Sequence, residues 1–136
     1  MIALAGVHHV ALLVRDLAST ERFYRDLLGL PVLRRWPTPD GQGERSVWLG
    51  LGDGAFLALE RAAPGAPPKG DGGGAGWHLL ALRITAAERA RWLERFAQAG
   101  VAVTHQTPYT IYVADPEGNR IGLSHHPAAS DADRHV

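Results

Sequence analysis

The stretch GVHHVALLVRD, residues 6–16, decides how the chain is read. Val10, Leu12 and Val14 alternate with Val7, His9, Ala11 and Leu13, the period of a strand with one apolar face. Because neighbours on a strand point to opposite faces, at most one of His8 and His9 looks into any given site. Asp16 then supplies an N-cap, Phe23, Tyr24, Leu27 and Leu28 recur at helical spacing, and Gly29 stops the helix, which is expected near 17–29.

WHLLALRI (77–84) repeats the pattern. Thr85 with Glu88 three residues later reads as a capping box. Trp92, Leu93, Phe96 and Ala97 form an apolar stripe and Gly100 ends a helix expected near 86–99. His78 minus His9, Thr85 minus Asp16 and Trp92 minus Phe23 all equal 69, so the segments read as an internal duplication. This pairing makes His9 the functional histidine and leaves His8 elsewhere.

Short apolar runs follow each helix: 30–36, 46–51 and 55–60 in the first half, and 101–106, 110–114 and 120–125 in the second. Gly52-Asp53-Gly54 and Asp115-Pro116-Glu117-Gly118-Asn119 supply turn chemistry between the last two of each set. Each half is therefore expected to be β-α-β-β-β, with eight strands in all. The expected organisation is a single α+β domain over 1–126. It comprises module one at 5–61, a Pro/Gly-rich linker at 62–76 and module two at 77–126, followed by a flexible tail at 127–136.

Composition narrows the function classes. The chain has 136 residues, 46% hydrophobic, enough for one packed domain. Lys+Arg 14 balances Asp+Glu 14, which gives no electrostatic reason to expect nucleic acid or an anionic membrane as partner. The absence of cysteine removes thiolate nucleophiles, disulfides and thiolate zinc sites together. MIALAGVHHV lacks the basic region of a signal peptide and no run approaches the ~18 apolar residues of a spanning helix, so a cytoplasmic protein is expected.

HVALLVRDLASTERFYRDLLGLPV (9–32), DPEGNRIGL (115–123) and His78 at the opening of the second half resemble the vicinal oxygen chelate superfamily. That superfamily includes glyoxalase I, extradiol dioxygenases, fosfomycin-resistance thiol transferases and bleomycin-resistance proteins. The resemblance implies tandem βαβββ modules whose mixed sheet curls into a cup, with metal ligands on the first and last strands of each module. It places ligands at His9 and His78. The two remaining ligand positions fall on Ala58 and Gly122, where relatives carry Glu. Glu60, two residues beyond Ala58 on the same face, is the substitute ligand to test. Ser124 is a poor donor, His126 lies on the order of 13 Å further along the strand, and His125 faces the other way. The metal implied is a divalent ion (Fe, Mn, Zn or Ni), with no nucleotide cofactor.

Thr110 and Tyr112 alternate with Ile111 and Val113, and match hydroxyl positions that contact substrate in the fosfomycin-resistance branch; His105 falls where that branch carries a lysine. Gly122 leaves room for a ligand against the strand. Trp36, Trp48 and Tyr109 offer flat apolar surface for a small organic molecule. Two functions follow. One is a metal-dependent lyase or isomerase, dioxygenase or thiol transferase, with the ion acting as Lewis acid on an oxygen-chelating substrate. The other is a metal-free protein of the bleomycin-resistance kind, sequestering its ligand in an aromatic groove formed with a second subunit. Either way, apolar cup surface makes a homodimer the expected assembly.

Overall fold

The computed structural model describes residues 1–70 and 73–127. The chain divides into two compact units, Met1–Lys69 and Gly70–Val136, with the boundary inside the Pro/Gly-rich linker. Beyond Pro127, the expected tail lies outside the described residues. Among the described residues there are eight strands in two four-stranded sheets. No helix among them is long and apolar enough to cross a membrane.

In the first unit, β1 (His9–Val14) leads into α1 (Leu17–Arg22), followed by β2 (Val32–Pro37), β3 (Glu44–Gly52) and β4 (Ala55–Arg61). Asp16 caps α1 in extended conformation, and its Oδ1 accepts the Ser19 N–H at 3.0 Å. After Arg22 the helix widens into a π-turn over Phe23–Leu27. Gly29 ends it at φ 76°, a value that favours glycine. Strand order is β1-β4-β3-β2, with β1 parallel to β4 and the other pairs antiparallel. Val14, Val47, Leu49, Leu57 and Leu59 form the core on one face of this sheet, with Leu17, Tyr24 and Leu28 from the helical segment.

The second unit repeats the order: β5 (Leu80–Arg83), α2 (Arg89–Gln98), β6 (His105–Gln106), β7 (Thr110–Ala114) and β8 (Arg120–Ser124), arranged β5-β8-β7-β6. Phe96, Ile111, Val113, Ile121 and Leu123 fill its core. Asp115 builds the β7–β8 turn: its Oδ1 accepts the N–H groups of Glu117 (2.9 Å) and Asn119 (2.8 Å), and Gly118 takes φ 87°.

Three local expectations change. The capping box does not form: Thr85 is the N-cap of a 3₁₀ turn (Ala86–Glu88), but without a side-chain cap bond. The Glu88 N–H, the donor a capping box would use, goes instead to the Thr85 carbonyl at 3.1 Å. The run at 101–106 shrinks to two strand residues, because the Val101 N–H closes α2 on the Phe96 carbonyl at 2.9 Å. The third concerns the repeat itself.

The parallel registers are Ala11 opposite Ala58 and Ala81 opposite Gly122. Ala81 minus Ala11 is 70, and buried Val14 and Ile84 stand 70 apart as well. The strands therefore repeat at 70, not 69. Ten residues separate Val14 from buried Tyr24, while twelve separate Ile84 from buried Phe96. The 3₁₀ turn lies in that longer stretch. Gly29 and Gly100 then stand 71 apart, since the π-turn adds one residue to the first helix. The constant 69 is an apparent match across segments whose true spacing changes from 70 to 72 to 71.

Candidate binding face and the vacated metal positions

The face of the first sheet away from its core is a grid set by the cross-strand registers. One row holds Trp36, Ser46, Glu60 and Leu13; the next holds Arg34, Trp48, Ala58 and Ala11; a third carries Gly50, Phe56 and His9. Four rings run diagonally across it. The His9 imidazole stacks on Phe56 (centroids 4.8 Å, interplanar 6°), Phe56 stacks on Trp48 (4.2 Å, 22°), and Trp48 meets Trp36 edge-on (5.4 Å, 61°). The Arg34 guanidinium lies 3.7 Å over the Trp36 ring. Among the described residues, Trp36 Nε1 and Ser46 Oγ are buried without a hydrogen-bond partner.

His8 joins this ladder instead of pointing away from it. Its Nδ1 lies 2.8 Å from His9 Nδ1, one nitrogen donating to the other, and its ring meets Phe56 edge-on at 5.6 Å. Strand alternation does not separate the two histidines because β1 begins at His9. Glu60 is exposed and stands opposite Leu13, four positions along from His9, about 13 Å at strand spacing. It is too far to share an ion with that imidazole.

On the corresponding face of the second sheet, His105, Tyr112 and Gly122 form one row and Thr110 with Ser124 the next, as the alternation predicts. The Thr110 hydroxyl donates to Ser124 Oγ at 2.9 Å. Tyr109 precedes β7, 43% exposed, and its ring meets His126 (4.7 Å) and His125 (5.7 Å) edge-on. With a strand spacing of 70, the counterpart of His9 is Leu79, and His78 corresponds to His8. Side-chain geometry agrees. A Cβ on Gly122 would meet Leu79 Cδ1 at 3.5 Å and Thr110 Cγ2 at 3.2 Å. His78 lies before β5, exposed, where an Arg120 N–H donates to its Nδ1 at 2.6 Å.

Away from both faces, Glu21 on α1 is buried against Arg35 of β2, whose two terminal nitrogens donate to its carboxylate at 2.6 and 3.0 Å. Arg25 also bonds it, and Glu44 takes a further bond from Arg35 at 2.9 Å. The Arg35 hydrogen bonds hold the Glu21 carboxyl below the usual carboxylate range.

The family model described as glyoxalase/bleomycin resistance protein/dioxygenase superfamily matches residues 6–123. The chain belongs to that superfamily. Among superfamily relatives, glutathione transferase FosA of Serratia marcescens is 27% identical over 124 residues, covering 88% of this chain and 80% of FosA. MhqE of Bacillus subtilis, assigned as a ring-cleaving dioxygenase, is 24% identical over 108 residues, 75% of this chain. This chain spans about a third of MhqE's length, 34%. The solved structure of TnmS3, an antibiotic-binding protein from a Streptomyces species, superposes with a TM-score of 0.66 at 27% identity, covering 91% of this chain and 98% of TnmS3.

The superfamily metal is a poor fit to the residues present. The diagonal pair on the first face is His9 with Ala58, and on the second it is Leu79 with Gly122. A methyl and a hydrogen stand where the resemblance leads one to expect carboxylates, and an isobutyl group stands at the strand position that matches His9. Among the described residues, no three His, Asp or Glu side chains gather as a metal-holding group.

The sequence reading passed over Phe56, Arg34 and Ser46. Phe56 was within reach: it stands two residues before Ala58 and four before Glu60, which puts it on their face. Arg34 shares the face of Trp36 by simple alternation, since the register irregularity along β2 lies before it, between Val32 and Arg34.

Proposed function

We propose that this chain is a metal-independent small-molecule-binding protein that holds a flat, largely apolar organic ligand against the ring ladder of its first sheet. The observation that carries this is the run of rings in which His9, Phe56 and Trp48 stack and Trp36 meets Trp48 edge-on, with Arg34 at its Trp36 end. Aromatic faces and a few polar groups suit planar ligands. His9 contributes its imidazole as a stacking ring in this reading. The likeness to antibiotic-binding TnmS3 supports binding over turnover. So do the vacated carboxylate positions at Ala58 and Gly122, which leave a Lewis acid without hard donors.

The four tryptophans give four indole N–H signals in a ¹⁵N-correlated NMR spectrum, assignable by Trp→Phe variants. Titration with fluorene, a planar tricycle, shifts the Trp36 and Trp48 signals and leaves Trp92 unmoved. Trp48→Ala weakens binding by roughly tenfold or more, the worth of one to two stacking contacts. Unchanged affinity in a folded Trp48→Ala protein contradicts the reading.

A further inference from the structure

Arg34 and Arg35 are neighbours on β2 with different commitments. Both terminal nitrogens of Arg35 donate to the Glu21 carboxylate, and Glu44 takes a further bond. Arg34, on the ladder face, is exposed and makes no hydrogen bond or ion pair among the described residues. Its guanidinium carbon instead lies 3.7 Å over the Trp36 ring. That contact covers one face of the guanidinium and leaves the N–H donors of its edge in solvent. Holding the group against a ring also restricts the side chain before any ligand arrives, so less freedom is lost on binding. Planar and forked, a guanidinium matches a carboxylate through two parallel N–H···O bonds. We infer that Arg34 anchors a carboxylate of the ligand, and that the ligand class is planar aromatic carboxylates.

Position selects Arg34 over the opposite charge on this face. Arg34 stands directly across from Trp48 in the strand register, so a ring system lying against Trp48 brings its substituents within reach of the guanidinium. Glu60 is also exposed, and without a partner among the described residues, but its row neighbours are Ser46 and Leu13, neither of them a ring. It lies two strands across and two residues along from Arg34, about 12 Å between backbones at sheet spacing. Through water, its repulsion of an anion held at Arg34 weakens binding by about a factor of two at most. The contact with Arg34 outweighs that. This inference rests on the aromatic-face reading and adds to it the charge that sets specificity.

Fluorene-2-carboxylate and fluorene-2-carboxamide share one planar skeleton and differ by a charge at neutral pH. Their affinity ratio, read from the Trp48 indole signal and compared within each protein, isolates the anchor from the skeleton. The wild type should favour the carboxylate about fivefold, the upper end for an exposed ion pair with bidentate geometry. The preference should shrink in about 0.5 M NaCl. Arg34→Gln should bring the ratio to within about twofold of unity. Arg34→Lys keeps the charge but not the fork and should fall between. If Arg34→Gln does not fold, Arg34→Lys decides. A wild-type ratio of one, or a ratio untouched by the variants, overturns the anchor; fluorene that still moves the Trp48 signal then leaves the aromatic face standing. Tightest binding by 2-(aminomethyl)fluorene, lost in Glu60→Gln, also overturns it and makes the face a site for cations. If no tricycle moves the Trp48 signal, the aromatic-face reading falls, and the anchor with it.

Discussion

Leu79→His and Gly122→Glu, made singly and together, test the strand register on which the account of the vacated metal positions depends. A Cβ at position 122 meets Thr110 Cγ2 at 3.2 Å and Leu79 Cδ1 at 3.5 Å. Gly122→Glu alone therefore presses a carboxylate under a leucine side chain, with an overpacking cost of about 1–3 kcal/mol before charge burial is counted. Changing Leu79 to His replaces that methyl with an imidazole nitrogen beside the new carboxylate. The double variant should bind Zn²⁺ or Mn²⁺. At a metal concentration a hundredfold above the dissociation constant, binding contributes about 2.7 kcal/mol. For a domain of this size that is roughly 10 °C in melting temperature. Thermal melts with and without metal read this directly: a large shift for the double variant, and little for the wild type or Gly122→Glu. The reasoning is refuted if Gly122→Glu alone gains the metal response and His78→Ala removes it. That result would put His78, not Leu79, over position 122.

Glu21→Gln should lose about 1–3 kcal/mol at pH 7, since it keeps one carbonyl acceptor but removes the charge and turns an NH2 donor toward Arg35 and Arg25. The Glu21 carboxyl titrates below its ordinary value when folded, so its contribution is full above the unfolded value and is lost as pH falls through the folded one. Urea denaturation should show the two proteins converging below about pH 4. A gap that persists there contradicts the ion-pair assignment. Asp115→Ala removes the acceptor for Glu117 N–H, Asn119 N–H and Asn119 Nδ2 in a buried turn, at a cost of about 2–3 kcal/mol, and Asp115→Asn should cost less. Equal melting temperatures for Asp115→Ala and the wild type contradict that role. Val7, Leu13, Leu33 and Trp77 are large apolar side chains left 57–100% exposed, and a homodimer is the proposed cover for part of that surface. Light scattering at micromolar concentration should report twice the chain mass; a stable monomer removes the second copy from the account.

The fold was largely legible because its signals are local. Alternation from Val10 to Val14, the Asp16 cap, Gly29, Gly100 and the Asp115–Asn119 turn each act within a few residues, and all appear as read. The exact pairing of the two halves was not legible. It depends on a π-turn in one helix and a 3₁₀ turn before the other, which shift the spacing without leaving a mark in the apolar pattern. One residue of slip on a strand exchanges faces. Here it replaces His78 by Leu79 at the position matched to His9. The Trp48 assignment depended only on alternation, and it stands on the ladder face. Ser46 looks like any small strand residue until the neighbouring indole shows that its hydroxyl is buried and, among the described residues, unpartnered.

The central claim is that ligand binding here needs no metal. Fluorene titration of untagged protein, followed by the Trp48 indole signal before and after exhaustive chelation, measures it directly. The account predicts the same affinity and the same shift in both samples, with no change on adding Mn²⁺, Zn²⁺ or Fe²⁺. Binding that disappears on chelation and returns with one of these ions would contradict it.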